Sequence, residues 1–176
     1  MKIRRKMSRV NIRKGKVGKN VLGSYEKVSA LVGYFGVIGS GKTTIAEGSY
    51  ALLSAATDMA AFGISETANM LLYHHITEYF RISGKGAQLY VLNVAKSGEA
   101  KFVDLIQDAS VKRMISGADG KIFNLGFSYI PESGASKVDG LPDGIVPAIK
   151  AAQVLADWTQ TTNRPVHVVL EAAGLE

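Results

Sequence analysis

The chain has 176 residues, no cysteine and a formal net charge of +6. A chain of this length suits one domain able to bury a sizeable core. The missing cysteines exclude disulfides, thiolate metal sites and cysteine nucleophiles, and no apolar run reaches the roughly 18 residues of a membrane span.

The charge is not evenly spread. Residues 1–20 hold nine basic side chains and no acidic one: Lys2, Arg4, Arg5, Lys6, Arg9, Arg13, Lys14, Lys16 and Lys19. The other 156 residues therefore carry 21 − 9 = 12 basic against 15 acidic groups, a net of −3. Residues 1–22 are expected to be a flexible basic arm, with an α/β domain over 23–174. The arm has no apolar segment of the secretory type. Three readings of it stand: a solvated tail, an assembly arm that adds to a neighbour, or a nucleic-acid contact. The last is the weakest, because no aromatic residue interleaves the charges. Arg9-Val10-Asn11-Ile12-Arg13 alternates as a short strand would, which favours strand addition.

In chain order, Val28–Ile38 (VSALVGYFGVI) reads as a buried strand and Gly39–Lys42 as a turn. Ser54 is placed to cap a short helix over Ala55–Phe62, with Gly63 ending it. Ser65 is placed to cap a longer helix over Glu66–Ile82, stopped by Gly84. Gln88–Ala95 is the next strand, Glu99–Ile115 an amphipathic helix, and Lys121–Ile130 a strand. Pro131–Gly144 collects turn residues and is expected to be a loop. A helix over Ile145–Thr161 tolerates Pro147 in its first turn, and Arg164–Glu171 is the last strand. Strands alternating with helices predict an α/β fold, a mainly parallel sheet with helices on both faces. The sequence ends where such a sheet would normally continue, and Leu175-Glu176 resembles a remnant of cloning. A piece of a longer protein is the expectation.

Gly36–Thr43 (GVIGSGKT) spells a complete phosphate-binding loop. Gly36 and Gly41 would let backbone N–H groups wrap a phosphate, Lys42 would reach the β/γ-phosphates, and Thr43 would hold Mg²⁺. The setting argues against that use. A helix should begin at the loop and aim its dipole at the anion. Thr43, Thr44 and Ile45 are β-branched instead, and Gly48-Ser49 interrupts after barely a turn. A strand–turn–strand reading of Val28–Tyr50 accounts for the same residues without a ligand. The partner carboxylate is missing too: LYVLN ends in Asn93, KIFNL contains Asn124, and only Val166–Leu170 leads to an acid, Glu171.

Ala60–Phe80 (AAFGISETANMLLYHHITEYF) resembles a stretch of the phage-type contractile-tail sheath family. There an "ALGI" break precedes a helix bearing a "YHI-EFF" pattern; here stand Phe62-Gly63-Ile64, then Tyr73-His74-His75-Ile76-Thr77-Glu78-Tyr79-Phe80. The likeness continues at Gly120-Lys121-Ile122, in the helix Ala148–Trp158 and in Pro165–Ala172, and spans most of Val28 to Ala172. It rests on packing patterns rather than chemistry. It implies a structural subunit without cofactor or catalytic residues, assembling around a tail tube in a virion tail built in the bacterial cytoplasm. Its partners would be other sheath subunits, the tube protein and baseplate components. Gly36, Gly41, Lys42 and Thr43 would then have no phosphate to hold; the alternative is a P-loop nucleotide-binding protein that uses them.

The remaining polar residues point to no chemistry. His74 and His75, with Glu78, lack metal-ligand spacing, because adjacent helical histidines diverge by about 100°. His167 reads as a satisfied core residue, Trp158 as a core or interface anchor, and Asp104, Asp108 and Asp157 as solvated helix-face charges. No metal site and no Ser/His/Asp arrangement is expected.

Overall fold

Val28–Gly33 forms strand β1, whose alternating residues face two different cores. The computed structural model describes residues 28–39, 44–130, 137–138, 141–142 and 144–171. Residues 1–22, expected to be an arm, residues 175–176, expected to be a cloning remnant, and the triplet Gly41, Lys42 and Thr43 lie outside the described residues, as does most of the turn predicted at Gly39–Lys42.

After β1 come β2 (Ser49–Leu53), a 3₁₀ helix (Ala56–Phe62), α1 (Met70–Ser83) and β3 (Gln88–Asn93). Then follow α2 (Phe102–Gln107), α3 (Ala109–Gly117), β4 (Asn124–Ser128), the short pair β5 (Lys137–Val138) and β6 (Leu141–Pro142), α4 (Ile145–Thr161) and β7 (His167–Leu170). The main sheet has the order β2-β3-β1-β4-β7. β1 pairs parallel with β3 and β4, β4 pairs parallel with β7, and β2 joins antiparallel at the β3 edge. The fold is α/β with a mainly parallel sheet, as the alternation predicts.

The strand pleat separates two hydrophobic cores. On one face Ala30, Val32, Leu92, Leu125 and Phe127 pack against α2, α3 and α4. On the other, Leu89, Val91 and Leu53 pack against the 3₁₀ helix and α1 through Met59, Leu72 and Ile76. Helix α4 presents Ile145, Ala148, Ala151, Ala152 and Leu155 inward at helical spacing. Its alanines leave room for a close approach to the sheet.

Several boundaries differ from the sequence reading, each for a local reason. β1 ends at Gly33, where the Phe35 ring lies so close that a Cβ on Gly33 would meet it at 2.5 Å. The predicted caps Ser54 and Ser65 do not cap by side chain at a helix start. Asp58 reaches back to accept from the Ser54 and Ala55 amides at 2.7 and 3.1 Å. Ser65 Oγ accepts from Ala68 N at 3.2 Å and closes a turn, so α1 starts at Met70. The single helix expected over Glu99–Ile115 is two helices, broken at Asp108. Asp108 has extended backbone (ψ 134°), and its carboxylate accepts from the Ser110 amide at 2.7 Å and from the Ser110 hydroxyl. Asp104 likewise accepts from Lys101 N at 3.1 Å, so these two acids fix helix starts rather than merely facing solvent. Within the predicted loop Pro131–Gly144, β5 and β6 pair antiparallel. α4 falls where the sequence places it, and Gly63 ends the 3₁₀ helix at φ 68° as expected.

Candidate functional site

The loop after β1 leaves the centre of the sheet at its carboxyl end, where doubly wound folds place their ligands. Its described flanks are firmly held. Ile38 and Ile45, on either side of residues 40–43, are both buried in the α1-side core. Asn93, fully buried at the end of β3, accepts from Phe35 N at 3.2 Å. Its amide nitrogen donates to Gly36 O at 2.8 Å and to Ile45 O at 3.0 Å. A carboxylate at this position could keep the first bond, but it has no proton for either carbonyl. The residue that would be the metal-binding acid of a nucleotide site is therefore a polar staple across the loop.

Two further contacts act on the same segment. Asn69 Nδ2 donates to Val37 O at 3.2 Å. Gly63 lies so near Gly39 that a Cβ on it would sit 2.8 Å from the Gly39 Cα. Gly36 and Gly39 both adopt positive φ, 68° and 71°. Beyond the loop, residues 44–46 are irregular, Glu47-Gly48 turn, and the chain enters β2. No helix follows among the described residues before Ala56, so no helix N-terminus faces the loop from residues 44–55.

A second polar cluster joins three elements that the sequence keeps far apart. Ser128, buried at the end of β4, donates to Glu171 Oε2 at 2.5 Å. His75 on α1 places Nε2 3.3 Å from Ser128 Oγ and 3.5 Å from Glu171 Oε2. A nucleophilic serine needs its histidine to take the hydroxyl proton through one ring nitrogen while the acid holds the other. Here one nitrogen meets both partners and the hydroxyl proton points to the carboxylate. The arrangement is a clasp tying the end of β7 to β4 and α1. Sequence reading missed it, because its members are 53 and 43 residues apart and only the tertiary fold brings them together.

The cleft outside the carboxyl ends of β1 and β4, about 190 Å³, is flanked by Tyr34, Phe35, Ser128 and Tyr129. Its aromatic residues serve packing. Tyr129 stacks on Phe102 at 4.8 Å and meets Tyr34 edge-on at 6.5 Å. The Tyr34 and Tyr129 hydroxyls donate to the carbonyls of Lys101 and Ala100 at 3.3 and 3.4 Å. Burial, with the nearby Asp104 and Asp108 charges, pushes the Tyr34 hydroxyl up to about 12.

The sheet also has open ground. Among the described residues β7 pairs only with β4, and β2 only with β3. The amides of His167 and Glu171 donate to β4 carbonyls at 2.7 and 3.0 Å. By parallel-strand alternation the amides of Val168 and Leu170 therefore point to the outer edge. His167 and Val169 are exposed on the α1 side, so His167 is not the core residue expected from sequence. At the opposite edge, Tyr50 and Leu52 of β2 are each 40% exposed. Trp158 is half-buried against the core, with Lys112 Nζ 5.3 Å from its ring centroid. Among the described residues no cluster of three or more His, Asp or Glu side chains could hold a metal ion.

No family model, curated protein or solved structure matches the chain.

Proposed function

We propose that this chain is a self-assembling structural domain of the contractile-tail sheath type, whose partners are further subunits, a tail tube and a baseplate. The observation that carries the reading is the pair of sheet edges, β2 and β7, that are unpaired among the described residues, each bearing exposed apolar residues: Tyr50 and Leu52 on one, Val169 on the other. An unpaired strand edge presents a row of backbone N–H and C=O groups that another strand can pair with. Two different edges on opposite sides suit heterologous contacts, which propagate into rings or helices. The resemblance of Ala60–Phe80 to the sheath family points the same way. Among the described residues no helix is long and apolar enough to cross a membrane. The test is electron microscopy of the purified chain without nucleotide: rings or helical polymers support the reading, and a monomer at every concentration overturns it.

The second reading is nucleotide binding through Gly36, Gly41, Lys42 and Thr43. It is favoured by the loop's position at the carboxyl end of the central strand β1 and by the positive φ of Gly36. The Asn93 staple and the passage of the chain into β2 weigh against it. Calorimetric titration with ATP or GTP and Mg²⁺, compared between the natural chain and Lys42→Ala, separates the two.

A further inference from the structure

We draw no further inference here: the strongest candidate, the cleft of about 190 Å³ outside the carboxyl ends of β1 and β4, carries none, because the Tyr34, Ser128 and Tyr129 hydroxyls in its wall already donate to Lys101 O, the Glu171 carboxylate and Ala100 O, and nothing in the structure shows what fills it.

Discussion

Asn93 and Gly36, 57 residues apart, are joined by a 2.8 Å hydrogen bond from the Asn93 amide to the Gly36 carbonyl. The bond ties the end of β3 to the first glycine of a loop that spells a phosphate-binding motif. With its partners at Phe35 and Ile45, it makes Asn93 an organiser of the loop rather than a missing acid.

Replacing Asn93 tests this directly. Asn93→Asp leaves the Gly36 and Ile45 carbonyls facing a carboxylate in a fully buried position. The expected loss is about 3 kcal/mol of unfolding free energy, the scale of buried polar groups left unsatisfied. Urea denaturation reads it as a lower midpoint with unchanged slope. A variant as stable as the natural chain would mean that the staple is dispensable.

Lys42 carries the competing nucleotide reading. Titration of the natural chain with Mg²⁺ and ATP or GTP is expected to give no saturable heat, and Lys42→Ala to behave identically. Saturable binding lost in Lys42→Ala would reinstate the P-loop.

The Ser128–Glu171 clasp is expected to be structural. Ser128→Ala removes the 2.5 Å hydrogen bond to a partly exposed carboxylate and should cost about 1 kcal/mol, discounted for solvent around Glu171. Thermal unfolding should shift down by a few degrees. Ester hydrolysis should be at the buffer rate in both proteins; a Ser128-dependent rate would make the cluster catalytic.

Tyr34 gives a prediction at high pH. Its hydroxyl is raised from 10.0 to about 12 by burial first and by the Asp104 and Asp108 charges second. The folded state thus holds the proton more tightly than the unfolded chain. The contribution to stability is complete below about pH 10 and is lost as pH rises towards 12. Burial also raises Tyr90, with a further push from Tyr50. Absorbance titration of phenolate should show a late step that disappears in Tyr34→Phe. Its persistence in that variant would reassign it.

What was legible in the sequence followed local chemistry. Helix α4 over Ile145–Thr161 announces itself by helical spacing and by Pro147 in its first turn. Gly63 announces a left-handed stop, although its close approach to Gly39 belongs to the tertiary structure. β2 is only partly legible: the strand–turn–strand reading ends at Tyr50, whereas the strand spans Ser49–Leu53, because SYALL is short and runs into residues that read equally well as a helix start. The break at Asp108 was hidden because the apolar period runs on from α2 into α3. Asn93 and Glu171 were visible only as a missing acid and a stray one. Their roles depend on partners that the sheet order β2-β3-β1-β4-β7 brings near.

Assembly is proposed to run through the sheet edges that are unpaired among the described residues, and Val168 allows it to be tested in one comparison. Its amide points away from β4, so Val168→Pro removes an outer-edge donor without breaking the internal ladder. Sedimentation velocity of the natural chain across a concentration series is expected to show large, concentration-dependent species, and Val168→Pro, with an unchanged circular-dichroism spectrum, a monomer. A natural chain that sediments as a monomer throughout, or a Val168→Pro protein that assembles as well as the natural one, would contradict the account.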